Sequence, residues 1–242
     1  MSRKQKVGHA AMLLAAGLGT RMRPLTERLP KPLVDVAGKP LIDHALARLR
    51  EAGVQKAVVN VHYLADRLEE HLAAVKDLKI EISDERKELL ETGGGLVKAL
   101  PQLGKDPFFV VNTDSLWIEG ASPALERLRQ SWDGRRMDIL LLLASTVNTV
   151  GYDSRGDFHL EKDGSIVRRK EREVAPFVFT GIYLVHPRLL KGAPEGKFSM
   201  NVLFDKAIAT GKLKGVRHDG IWMEVGTPEG IPLAERALSE TY

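Results

Sequence analysis

Gly17-Leu18-Gly19-Thr20-Arg21-Met22-Arg23-Pro24 follows an apolar run, Ala10 to Ala16, and Pro30-Lys31-Pro32-Leu33 comes shortly after. A short buried strand that breaks into a glycine turn carrying arginines suits a backbone that must lie against phosphate. Gly17 and Gly19 let backbone N–H groups point at a polyphosphate, Thr20 adds a hydroxyl, and Arg21 offers a planar fork. Lys31, held between two prolines, could bring a point charge to an α-phosphate. The alternative is a turn with solvated arginines and a surface lysine. Two common phosphate loops do not fit. A dinucleotide fingerprint needs a third glycine where Met22 stands, and no Gly-Lys-Ser/Thr closes the turn as a Walker A loop requires.

Asn112-Thr113-Asp114 follows the apolar run Phe108 to Val111, which puts Asp114 at a strand's carboxyl end beside the glycine loop. Mg²⁺ keeps several waters and needs only one or two protein carboxylates, so an aspartate there suits Mg²⁺ held against a triphosphate. The other reading is a cap on the irregular segment that follows. Asn112 is a candidate for the ribose or base, or for a local turn. In Leu90-Glu91-Thr92-Gly93-Gly94-Gly95, three glycines before a helix waste conformational entropy unless something approaches the backbone. Gly93 and Gly94 could read the edge of a base; a flexible turn is the alternative. Asn60 and His62 end another strand and could border the same pocket, although a lone histidine there is more often structural.

These side chains need a frame that gathers them. Strand-like runs at Ala57 to Val61, Lys79 to Ser83, Phe108 to Val111 and Asp138 to Ala144 alternate with helical patterns. The helices are expected at Asp43 to Arg50, over Leu64 to Val75, from Gly94 to Leu100 ending at Pro101, and after Ser122-Pro123. This β-α repeat predicts an α/β, doubly wound, mostly parallel sheet with ligands at the carboxyl ends of its strands. From Thr146 the rhythm changes. Phe158 to Leu160, Ile166 to Arg168 and Phe177 to Leu184 are strand-like pieces between Asp-Gly and Arg-Gly turns, which predicts a small antiparallel insertion. Helices return at Ser199 to Thr210 and Thr227 to Leu238. With no linker or repeat, the expectation is a single domain over 1–242, residues 9–145 forming one half and 146–242 the other.

The compound motif Leu14 to Thr26, with Pro30-Lys31-Pro32-Leu33, resembles the signature of the sugar-1-phosphate nucleotidyltransferases. Those enzymes transfer a nucleotidyl group from a nucleoside triphosphate to a sugar phosphate and release pyrophosphate. The resemblance implies a Rossmann-like sheet of the nucleotide-diphospho-sugar transferase type, with 9–145 binding nucleotide and 146–242 binding sugar. It implies catalytic roles for Arg21, Lys31 and Asp114, and a nucleotide site of Ala16, Gly17, Gly19, Thr20, Arg21, Lys31, Glu91, Gly93, Gly94 and Asn112. Trp222-Met223-Glu224-Val225-Gly226-Thr227 matches a family motif that usually carries Asp at the Glu224 position, and that residue shares Mg²⁺ with the Asp114 equivalent. One extra methylene lengthens the reach of Glu224, so the metal could bind through a water, shift, or prefer Mn²⁺; the other reading of Glu224 is a solvated strand end. Thr113 departs from the glycine of many relatives, crowding the nucleotide or offering it a hydroxyl. Asn148, Asp157 and Gly181 are the sugar-site candidates, with hairpin chemistry an equal reading of Gly156-Asp157. The basic run Arg168-Arg169-Lys170 reads as a solvated edge.

Within the family, Leu90 to Gly95, Arg155-Gly156-Asp157-Phe158, Phe179-Thr180-Gly181-Ile182 and the short chain are most similar to the N-acetylmuramate-1-phosphate uridylyltransferases of bacterial cell-wall recycling. The similarity spans nearly everything after about residue 8. It implies UTP and a sugar 1-phosphate as partners, in a monomer or small homo-oligomer. The alternatives are guanylyl or uridylyl transfer to mannose- or glucose-type 1-phosphates, weakened where Asp163 follows Glu161-Lys162 in place of a Glu-Lys-Pro motif, and a nucleotide sensor without turnover.

Composition narrows the classes. A net charge of +4 over 242 residues is spread among 32 acidic side chains, and aromatics make up 6%, so no nucleic-acid partner is expected. No run of about eighteen apolar residues occurs, so no membrane span is expected. The basic start Met1 to Lys6 is read as a frayed terminus rather than a signal peptide. Zero cysteines exclude disulfides and thiolate metal sites and agree with a cytoplasmic location.

Overall fold

The computed structural model describes residues 6–241, so Met1 to Gln5 of the basic start lie outside the described residues. Ala10–Leu14 (β1), Lys56–Val61 (β2), Lys79–Asp84 (β3) and Phe108–Asn112 (β4) pair in parallel in the order β3-β2-β1-β4. The helices between them are Leu41–Glu51 (α1), Ala65–Ala73 (α2) and Glu91–Leu103 (α3). A sheet covered on both faces needs strands that are apolar on both faces, and β1 shows it. Ala11 and Leu13 pack with Ile42, Leu46 and Leu68 from α1 and α2, whereas Met12 packs with Leu96 and Ala99 of α3.

Ser115–Ile118 (β5), Ala124–Ser131 (α4) and Ile139–Ser145 (β6) follow. Beyond Thr149–Val150 (β7), Phe158–Leu160 (β8) and Ile166–Arg168 (β9) form an antiparallel ribbon. Phe177–Val185 (β10) is not a third strand of a peripheral ribbon. It runs antiparallel inside the main sheet, between β4 and β6, and holds the ribbon only at Phe158–Phe177. Its last six residues, Thr180 to Val185, are buried, so an exposed ribbon could not have sheltered them. Asn201–Ala209 (α5), Leu213–Arg217 (β11), Ile221–Glu224 (β12) and Gly230–Ser239 (α6) complete the chain, with β11 parallel to β6.

Helix ends moved from the sequence expectation. α3 begins at Glu91 and continues through Pro101 to Leu103. Ser122 caps nothing; Glu119 Oε2 accepts the Ala124 N–H at 2.7 Å and starts α4 instead. Among the described residues, no helix is long and apolar enough to cross a membrane. What positions the site is a second, three-stranded sheet, β5-β12-β7, set off the carboxyl end of β4.

Candidate active site

The glycine loop is held from behind. Gly19 has φ 63°, and a Cβ there would press on Thr26 and Lys31 at 3.0 and 3.1 Å, so only glycine lets the loop close onto the lysine segment. Thr26 Oγ1 donates to Gly19 O at 2.7 Å. A short turn over Thr20–Met22 buries Met22 and leaves Thr20 and Arg21 exposed. At Gly17 a Cβ would meet nothing within 4 Å, so this residue faces open space. Lys31 starts its own turn, Lys31–Leu33, after an extended Pro30.

Two carboxylates meet these cations. Asp114 directly precedes β5 and Glu224 ends β12; Glu224 sits opposite Ser115, and Val225 N–H donates to Asp114 O at 3.0 Å. Lys31 Nζ lies 2.7 Å from Asp114 Oδ2, and Arg21 Nη2 lies 3.6 Å from Glu224 Oε1. Burial, and then the charge of Asp114, push the Glu224 carboxyl above the usual range, while Arg21 and Lys31 pull it back. Two acidic groups close enough to raise a pKa in a half-buried place suit a hard divalent cation, which removes the repulsion between them. Among the described residues, no group of three or more His, Cys, Asp or Glu could hold a metal. The oxygen pair therefore fits Mg²⁺ completed by water and phosphate oxygens, and lacks the nitrogen and sulfur donors of a structural zinc site.

A cleft of about 410 Å³ opens beside them. Of the candidate residues, Ala16, Gly17, Gly19, Thr20, Arg21, Lys31, Glu91, Asn112 and Asp114 line it. Glu91 does so with a left-handed φ of 61°, uncommon for a side chain this large, and pairs with Lys197 at 3.7 Å.

Gly93 and Gly94 do not line the cleft. Both donate their N–H to Phe198 O, at 2.9 and 3.2 Å, so the base-reading role expected of them is corrected. A Cβ at Gly93 would meet the Phe198 ring, and one at Gly94 the Gly196 carbonyl. Their smallness serves helix packing. Thr113 lines the cleft and donates its hydroxyl to Leu14 O at 3.1 Å. Asn60 lines the cleft but is 3% exposed and fully engaged, while His62 Nδ1 contacts Glu85 O at 2.7 Å.

Asn148, Asp157 and Gly181 lie outside that lining. Asp157 Oδ2 accepts the Phe179 N–H at 2.8 Å, which is the hairpin role. Gly181, at φ 77° where the β6–β10 register shifts, leaves room for Asn112: a Cβ would stand 2.7 Å from Asn112 Nδ2. Sequence reasoning missed Leu89, Thr92 and Ser199 in the wall, and Glu85 behind it. The signal for Glu85 was its place just past β3, next to the β2 end that carries Asn60.

The chain belongs to the nucleotidyl transferase family, whose model matches residues 10–240. The resemblance to sugar-1-phosphate nucleotidyltransferases drawn from the motifs is met. It is 48% identical to an N-acetylmuramate alpha-1-phosphate uridylyltransferase from Caulobacter vibrioides, over 99% of this chain and 100% of that protein. A protein of the same name from Neisseria meningitidis is 36% identical over 90% of this chain and 93% of its own length. Among solved structures, HddC from Yersinia pseudotuberculosis complexed with GMP-PN superposes with a TM-score of 0.77 at 24% identity, covering 95% of this chain and 99% of that one, which is a likeness of fold.

Proposed function

We propose that this protein condenses UTP with N-acetylmuramate 1-phosphate to give UDP-N-acetylmuramate and pyrophosphate, as a single nucleotidyltransferase domain whose residues 9–145 bind nucleotide and 146–242 bind sugar. The observation that carries the chemistry is the meeting of Asp114 and Glu224, each beside a cation, at the mouth of the glycine loop. The choice of base and sugar rests on the similarity to the two uridylyltransferases. We assign the reaction to cell-wall recycling in the cytoplasm, where nucleoside triphosphates are made.

In this reading the sugar-phosphate oxygen attacks the α-phosphorus in line with the leaving pyrophosphate, and no covalent protein intermediate forms. The loop amides from Ala16 to Thr20 and the Arg21 fork bind the departing pyrophosphate oxygens. Lys31 sets its charge against the oxygens of the α-phosphate as negative charge grows there. Glu91 and Asn112 border the nucleoside and Asn148 faces the sugar, while Asp157 braces the Phe179 backbone and Gly181 gives Asn112 its room on the sugar side. Asp114 and Glu224 would hold Mg²⁺, which when bound neutralises phosphate charge and aligns the two substrates.

Pyrophosphate release over a grid of nucleoside triphosphates and sugar 1-phosphates tests the reading. UTP with N-acetylmuramate 1-phosphate is expected to give the highest kcat/KM. A guanine nucleotide or a hexose 1-phosphate turning over faster would replace the substrates, and nucleotide retained without pyrophosphate release would replace the enzyme by a sensor.

A further inference from the structure

Glu85 is fully buried and lies outside the cleft lining, which it reaches directly through Asn60. Its Oε1 accepts from Asn60 Nδ2 at 2.8 Å, and its Oε2 accepts the Leu90 N–H at 3.0 Å. Asn60, itself 3% exposed, turns its Oδ1 to the Ala15 N–H at 2.7 Å. The result is one chain of hydrogen bonds from Ala15, where the strand gives way to the glycine loop, to Leu90, which precedes the strained Glu91. Ala15 lines the 410 Å³ cleft, and Leu90 stands between Leu89 and Glu91, which line its other side. The backbone supports the same link, since Glu85 N–H donates to Val61 O at 2.8 Å. Room is reserved for it: a Cβ at Gly95 would lie 2.8 Å from Glu85 Oε1 and 3.1 Å from Asn60 Nδ2.

The polarity of this chain is fixed by its ends. Ala15 and Leu90 both offer backbone N–H groups, which can only donate. An amide at 60 must then point its oxygen at Ala15 and its nitrogen at residue 85, so residue 85 must accept on both sides. Only a carboxylate does that. A glutamine would turn an N–H₂ toward one donor or the other and leave a buried clash. The carboxylate also takes the amide of the residue that leads into α3, a 13-residue helix whose N-terminal end favours negative charge.

We propose that Glu85, through Asn60, is a positioning residue that locks the phosphate loop at Ala15 to the opposite wall at Leu90–Thr92, setting the width of the nucleotide cleft. The proposal rests on the assignment of that cleft to the nucleoside triphosphate. Glu85→Gln is expected to raise KM for UTP about tenfold, the effect of one misdirected hydrogen bond to a charged group, while KM for the sugar phosphate and kcat at saturation stay within about threefold. The decisive variant is the double exchange N60D/E85Q. It moves the acceptor-only group to position 60 and the amide to position 85, so every hydrogen bond again runs from donor to acceptor. It is expected to restore KM for UTP to within about threefold of the parent, although each single exchange is impaired.

Calorimetric titration with UTP and Mg²⁺ gives a second readout that needs no turnover. Should E85Q not fold, Asn60→Ser, which cuts the Ala15 link and leaves Glu85 with Leu90, carries the same KM comparison. A double exchange no better than the worse single variant, or an E85Q that binds UTP like the parent, overturns the proposal alone. A parent protein that holds no nucleotide overturns the assignment of the cleft and the proposal with it.

Discussion

Replacing Lys31 by alanine separates catalysis from folding. Lys31 and Asp114 lie 2.7 Å apart and their side chains are only 13% and 26% exposed, so solvent screens the pair weakly. At an effective dielectric near 20, two unit charges at that distance attract by about 6 kcal/mol before desolvation. The cost of drying and ordering both groups offsets most of this, leaving roughly 1–3 kcal/mol for the pair in the fold. A chain of this length loses about 2–4 °C of Tm for each kcal/mol, so Lys31→Ala stays folded at 25 °C. Its effect on the reaction is larger. A preorganised charge removed from a developing oxyanion costs about 2.7–4 kcal/mol, or about a hundredfold to a thousandfold in kcat. The assay is pyrophosphate release at saturating UTP and sugar 1-phosphate, beside a thermal melt of the same preparation. Lys31→Arg, which keeps the charge but not its compact shape, is expected to fall between the two. A folded Lys31→Ala with kcat within about threefold of the parent would refute the role given to this residue.

Glu224→Gln keeps the shape of the side chain and removes its charge, so the Mg²⁺ concentration for half-maximal activity should rise about tenfold or more, and Mn²⁺ binding measured by paramagnetic resonance with UTP present should weaken in parallel; unchanged binding would remove Glu224 from the metal site. Gly94→Ala drives a methyl group into the Gly196 carbonyl, and is expected to cost about 1–3 kcal/mol by overpacking, read as a lower Tm. An unshifted melt would mean that the α3 contact relaxes freely. His218 is fully buried, with Nε2 against Ile118 O at 3.1 Å, and burial holds its pKa below the ordinary value. The unfolded chain therefore binds the proton first, so the contribution of His218 is intact above the unfolded pKa near 6.5 and is lost as pH falls below it. Melts from pH 7.5 to 5.5 should steepen this loss in the parent relative to His218→Gln, and equal slopes would contradict it.

The alternation of apolar runs made the parallel sheet legible, because strands such as β1 have nothing polar to place on either face. The glycine loop and Asp114 stood out for a local reason, each lying just beyond an apolar strand, and Lys31 because two prolines hold it. Other assignments depend on distant partners. Gly93 and Gly94 looked like a base-reading loop until Phe198 and Gly196, a hundred residues on, occupied the space beside them. Phe177 to Leu184 reads as part of a ribbon because Asp-Gly and Arg-Gly turns separate the short strand-like pieces before it, yet a register shift at Thr180-Gly181 lets this strand pair with β4 and bend along β6. Glu85 was passed over because a glutamate after a strand ordinarily faces water. Only the approach of Asn60 and the start of α3 makes it a buried acceptor.

The three-stranded sheet explains why the two carboxylates converge although 110 positions separate them in the sequence. Asp114 is placed by the end of β4 and reaches Lys31 within residues 9–145 alone. Glu224 arrives only with β12, which pairs with β5 on one side and with β7 on the other. Gly151, φ 74°, lies so close to Glu224 O that a Cβ would stand 2.6 Å away, which binds the start of the 146–242 segment to the same strand end. Tyr152 follows and sets its ring edge against Trp222 at 5.9 Å. The carboxylate pair is therefore the joint of the molecule. One member lies within residues 9–145 and the other within 146–242, so a cation held by both carboxylates would need both segments folded together.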